Sequence, residues 1–106
     1  MRGDVGDGHP HMVLAVELQG YLALRAGDWV AAAGFYLRAA AGRYRLDSPE
    51  GELVRDLNNA TACWLKSRHQ LGAFEAGCEL AHLLTRIASE SPGRITSVLC
   101  HLGELR

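Results

Sequence analysis

The stretch Leu18–Ala40, LQGYLALRAGDWVAAAGFYLRAA, decides the fold. Apolar residues recur at helical spacing on both sides of Gly27-Asp28, a pair that suits a helix stop followed at once by a helix start. The reading is a helical hairpin. Gly20, Ala32 and Ala39 put small residues where two helices can approach closely, and Trp29 and Tyr36 supply bulk along the same face.

Outward from this hairpin the chain continues in the same style. Residues 1–10, with three glycines and no periodicity, read as a mobile N-terminal arm. From Met12 to Ala26, Leu14, Leu18, Tyr21 and Leu22 mark the expected buried face of the first helix. The second helix, capped by Asp28, continues to about Tyr44; Arg38, Arg43 and Arg45 near its end fit a solvated helix terminus that favours cations. Ser48-Pro49-Glu50 opens a third helix, with Ser48 as cap and a stripe of Leu53, Leu57, Ala60 or Thr61, and Trp64. Leu71, Phe74, Cys78, Ala81, Leu84 or Thr85, and Ala88 make the expected stripe of a fourth. Ser91-Pro92-Gly93 opens a last helix carrying Ile95, Val98, Leu99, Leu102 and Leu105. Nothing alternates with the period of a strand.

At 106 residues, one domain with a real core is expected, over 11–106, in a first hairpin (12–46), a second (49–90) and a final helix (92–105). A formal net charge of -1 gives no global attraction to nucleic acid or to acidic membranes. No run approaches the roughly 18 apolar residues of a membrane span, and the opening lacks the apolar core of a signal peptide. Cys63, Cys78 and Cys100 are an odd set without CxxC spacing, which fits a reducing, cytoplasmic setting and core thiols.

Gly20, Gly27-Asp28-Trp29, Ala32, Tyr36 and Ala39 together resemble the tetratricopeptide repeat, whose motif has a small residue in the first helix, a Gly-Asp-aromatic turn, and then Ala, an aromatic and Ala at fixed intervals. Asn59-Ala60-Thr61-Ala62-Cys63-Trp64-Leu65-Lys66 and Ala73-Phe74-Glu75-Ala76-Gly77-Cys78 are similar to a second copy of the kind found in co-chaperone-type members, with Arg68-His69 where the turn would be. Leu102-Gly103 resembles the opening of a third. The resemblance implies an all-α fold of antiparallel helical hairpins in a short right-handed solenoid of about five helices. It also implies a concave groove lined by the first helix of each repeat.

Mapped onto this chain, that groove carries Glu17, Tyr21, Arg25, Arg55, Asn58, Asn59, Lys66 and His101. With only Glu17 opposing the cations, a locally positive groove is expected, suited to a protein or peptide partner with an acidic C-terminus. Of the family's carboxylate clamp only Asn59 is present; the first-repeat clamp places hold Glu17 and Tyr21, and the third-repeat places Ser97 and His101. No nucleophile elbow or phosphate loop occurs, and Cys63 with His69 or Cys78 with His82 lacks the setting of a catalytic or metal pair, so no enzyme, metal or cofactor is expected. The alternative is a self-associating helical bundle, a homodimer through a final helix whose Leu99, Leu102 and Leu105 leave one apolar side uncovered.

Overall fold

The computed structural model describes the backbone of residues 10–103 and the side chains of residues 11–100. Five helices and no strand occur among them: α1 (Pro10–Arg25), α2 (Trp29–Arg45), α3 (Glu50–Lys66), α4 (Ala73–Glu90) and α5 (Pro92–Gly103). The all-α arrangement of helical hairpins is therefore present. The expected arm lies outside the described residues except for Pro10, which takes the first position of α1, where a missing N–H costs nothing.

The turns follow from local chemistry. Gly27 has φ +80°, a left-handed conformation that ends α1, and Asp28 caps α2 by accepting the Ala31 N–H at 3.2 Å. Ser48 does not cap α3. Its N–H instead reaches back to the Arg43 carbonyl at 3.0 Å, the Asp47 N–H reaches Tyr44 at 3.1 Å, and Asp47 takes φ +54°. These are the bonds of a Schellman closure, so Ser48 belongs to the end of α2. Helix α3 starts after Pro49 without a side-chain cap.

Helix α2 is the centre of the molecule, packed by α1, α3 and α4. Its Ala32, Ala33, Tyr36, Leu37 and Ala40 join Leu53, Leu57 and Ala60 of α3, Ala76, Leu80, Leu83 and Ile87 of α4, and Val98 of α5 in one buried cluster. Ala39 packs separately with Val13 and Val16 of α1, flanked by Phe35 and Leu46. Two glycines allow close approach: a Cβ on Gly20 would lie 3.1 Å from the Tyr36 ring, and one on Gly77 would lie 2.8 Å from Trp64 Nε1. Trp64 uses that nearness to donate to the Ala73 carbonyl at 2.9 Å.

Two expected stripes are rotated. On α1 the buried residues are Val13, Val16 and Gly20, while Leu14, Leu18, Tyr21 and Leu22 are exposed. On α4 the buried residues are Ala76, Leu80, Leu83 and Ile87. Leu71 (98 % exposed) lies in the preceding turn, Phe74 (80 %) is in the first helical turn, and Cys78 and Ala81 also face solvent. The stripes of α2 and α3 fall where expected.

The ends of the bundle are held by long-range polar contacts. In the α3–α4 turn, Gln70 accepts the Val30 N–H at 3.0 Å and donates to the Gly27 carbonyl at 3.2 Å, fastening that turn to the first hairpin. Arg94 of α5 donates to the Asp47 carboxylate at 3.1 Å and the Ser48 carbonyl at 2.9 Å, and Ser97 bonds Glu50. Tyr44 donates to Glu90 at 3.0 Å and lies 3.0 Å from the Ser91 hydroxyl, so α2 also holds the α4–α5 junction.

Because Ala39 is fully buried against Val13 and Val16, Ala39→Leu overpacks the α1–α2 seam and is expected to cost about 1–3 kcal/mol. Ala62→Leu, the same change on the exposed side of α3, should stay within about 0.5 kcal/mol of the parent in a urea melt. Equal losses would mean that the seam is elsewhere.

Candidate functional site

Along α2, Trp29, Tyr36 and Arg43 recur every seven residues and so share one side of the helix. Each engages a neighbouring helix. Trp29 lies under Lys66 of α3, whose Nζ sits 4.9 Å from the ring centroid. Tyr36 packs on Gly20 of α1. Arg43 donates to Glu17 of α1 at 3.1 Å and to Glu52 of α3 at 2.8 Å, and its Nε is 3.7 Å from Asp56 Oδ2. These three residues form the floor between α1 and α3, and Arg55 closes one end by meeting Glu17 at 3.4 Å.

Above that floor, the α1 wall presents Leu14, Leu18, Tyr21, Leu22 and Arg25, one exposed stripe at spacings of three and four. Arg25 donates to the Tyr21 hydroxyl at 2.9 Å, with its guanidinium 5.8 Å from the ring centroid. On the α3 wall Arg55, Asn59, Ala62 and Lys66 form the matching stripe, and Asn58 falls on the far edge of the same face. Of the expected residues, Glu17 and Arg55 meet directly, Arg25 stands over Tyr21, and Lys66 stands over Trp29. The side chain of His101 lies outside the described residues. Ser97, another clamp place, is engaged with Glu50.

The electrostatics differ from the expectation that only Glu17 opposes the cations. Glu52 and Asp56 also face Arg43, and Arg43 itself is only 13 % exposed at its side chain, so it is no solvated helix end. Asp56 is 1 % exposed and its Oδ2 has no partner under ordinary carboxylate rules. Burial, followed by the hydrogen bond and negative charge of Glu17, pushes its carboxyl up to about 8, against the pull of Arg55 and Arg43. A neutral Asp56 can donate to Glu17, which accounts for the otherwise orphaned oxygen. Burial opposes ionisation of Glu17, but the Asp56 bond together with Arg43 and Arg55 holds it below the usual carboxylate range. Arg43 and Arg55 are thus the cations that meet Glu17 and Glu52, while Arg25 lies on Tyr21 and Lys66 on Trp29.

The thiols divide. Cys63 is buried near Tyr36, and burial pushes its thiol up, away from reactivity. Cys78 is exposed, contrary to the expected core thiol, and so is Cys100. Among the described residues no three His, Cys, Asp or Glu side chains converge on a common point. Sequence reasoning missed Arg43 and Asp56; an Asp in the interior of an apolar helical stripe, between Leu53 and Leu57, was the available signal. Compared with protein-family models, with curated proteins and with solved structures, the chain matches none.

The protonated Asp56 has a pH signature. A folded-state pKa of about 8, against the ordinary 3.8, means a contribution to stability fully present below about pH 4 and lost as pH rises to 8. The parent melting temperature should fall between pH 5 and 8.5. Asp56→Asn, which keeps a donor for Glu17 and cannot ionise, should flatten that decline and melt higher than the parent at pH 8.5. A parallel decline in both proteins would show that Asp56 is ionised throughout.

Proposed function

We propose that the chain is a non-catalytic protein–protein interaction module of tetratricopeptide-like design, and that it takes an extended peptide or a partner helix in the groove between α1 and α3. The observation that carries this reading is the stripe Leu14, Leu18, Tyr21 and Leu22, each 45–58 % exposed on a helix that packs mainly on α2, with Arg25 on the same helix and Arg55 of α3 in contact with it. Large apolar side chains contiguous on one helix face and rimmed by charge are a recurrent mark of interaction surfaces. They refine the expected partner: it should offer apolar anchors for α1 as well as carboxylates for the cations. Nucleic acid is a poorer fit, since Arg43 of the basic Arg38, Arg43 and Arg45 cluster is engaged by carboxylates. Among the described residues no helix is long and apolar enough to cross a membrane. The free cysteines accord with a cytoplasmic setting.

Leu99, 51 % exposed while the adjacent Val98 is fully buried, supports a second reading, in which α5 pairs with a second copy. That reading requires a dimer whose population rises with concentration and falls in Leu99→Ser.

Selection from a phage-displayed random peptide library tests the first reading. Selected peptides should combine apolar residues with Asp or Glu, and their affinity should fall as salt rises. Leu18→Ser, Arg55→Ala and Asn59→Ala should each weaken them, by about tenfold for Leu18→Ser, without lowering the melting temperature. Peptides that bind all three variants as tightly as the parent would place the interaction elsewhere.

A further inference from the structure

Among the described residues, exposed large apolar side chains gather at two places, with Leu99 of α5 standing apart. One is the α1 stripe; the other is the end of α3 and the turn into α4, with Leu65, Leu71 and Phe74. Leu71 and Phe74 are the most exposed of them all, at 98 % and 80 %. The turn that carries them is fastened from beneath. Ser67, fully buried, donates its hydroxyl to the Trp64 carbonyl at 2.7 Å, and its own carbonyl accepts the Gln70 N–H at 2.7 Å. Gln70 bonds Val30 and Gly27 of the first hairpin, and Gly72, at φ +90°, lies so near Val30 that a Cβ would stand 3.1 Å from its Cγ1. A turn held in this way keeps two large apolar side chains in water, an arrangement that marks a contact surface. We propose that this end of the bundle is a membrane-contact surface, at which Leu71 and Phe74 enter an anionic lipid bilayer while Lys66 and Arg68 rest among its phosphates.

Shape and charge choose this partner. Side chains that project almost wholly from a turn need a matching cavity in a protein partner, whereas a bilayer admits them anywhere between its headgroups. The cations are placed to stay at the headgroups. Lys66 ends α3 with its ammonium over the Trp29 ring, and Arg68, exposed in the turn, has no hydrogen bond or ion pair from its side chain among the described residues, so its charge is open to a phosphate. Arg25 stands at the same end of the bundle, in the last turn of α1. The nearby carboxylates are directed elsewhere: Asp28 accepts the Ala31 N–H as the cap of α2, and Glu75 lines the hollow beside Val30 and Gly34, on the α2 side of α4. The apolar tips therefore leave the bundle in the company of cations, although the chain as a whole carries a formal charge of -1.

Co-sedimentation of the full chain with lipid vesicles tests the proposal, using vesicles of phosphatidylcholine mixed with phosphatidylglycerol and vesicles of phosphatidylcholine alone. Binding to the anionic vesicles should be at least about tenfold stronger than to the zwitterionic ones, and added salt should weaken it. Leu71→Ser and Phe74→Ser should each weaken binding by about tenfold, the loss of one apolar side chain from the bilayer, and Arg68→Gln by about fivefold. All three side chains face solvent, so each variant should keep the melting temperature of the parent. Leu18→Ser, on the α1 stripe, should sediment as the parent does. Absence of binding to either vesicle would overturn the proposal and leave Leu71 and Phe74 to a cavity on a protein partner. Equal binding to the two vesicles, parent-like binding by Leu71→Ser and Phe74→Ser, or a loss of binding confined to Leu18→Ser would each overturn it as well.

Discussion

A guanidinium that cannot lose its proton, placed where water hardly reaches it, dictates much of this structure. Arg43 needs carboxylates, and it draws them from two helices at once, Glu17 of α1 and Glu52 of α3. Three carboxylates gather at this partly buried cation, since Asp56 lies close as well, and the exposed Arg55 offsets them only from the edge. The strain is relieved by protonation: Asp56 keeps its proton to about pH 8 and turns a repulsion with Glu17 into a hydrogen bond. The relative positions of α1 and α3 are thus set by charge as well as by packing. Tyr36 against Gly20, one heptad earlier, supplies the packing half of the same constraint.

This arrangement explains why α1 has an uncovered apolar face. Docking through Val13, Val16, Gly20 and Glu17 turns Leu14, Leu18 and Leu22 away from α2, and no other described element covers them. The helix is held by its smaller residues and its one carboxylate, and the large ones are left as a surface. The wall of the proposed groove and the fixing of α1 are two sides of one helix.

The sequence made α2 and α3 legible because each combines one apolar face with one distinct face. Trp29, Ala32, Tyr36 and Ala39 mark a single seam in α2, and Leu53, Leu57 and Ala60 stand opposite Arg55, Asn58 and Asn59 in α3. Helix α1 offered no such contrast: Val13, Leu14, Ala15, Val16 and Leu18 surround most of its girth, so periodicity alone did not choose between the leucine face and the valine face. In α4 a stripe read from Leu71 and Phe74 begins in a turn and at a helix start, where neither residue is covered. For the proposed groove, Glu17, Tyr21, Arg25, Arg55, Asn59 and Lys66 are the residues that the resemblance to a helical repeat selects. The ion cluster at its base was not, because Arg43 meets Glu17 across 26 residues and local pattern carries no trace of that pairing. The Gln70 and Arg94 contacts, across 43 and 47 residues, escaped for the same reason.

The stability of Arg43→Leu at neutral pH tests the central claim most directly, because a solvated helix end and a largely enclosed ionic hub predict different numbers. The hub leaves Glu17 and Glu52 without their shared cation, and the variant should lose about 3 kcal/mol or more in a denaturant melt. A variant within about 0.5 kcal/mol of the parent would contradict it, placing Arg43 among ordinary surface residues and leaving the arrangement of α1 and α3 to packing alone.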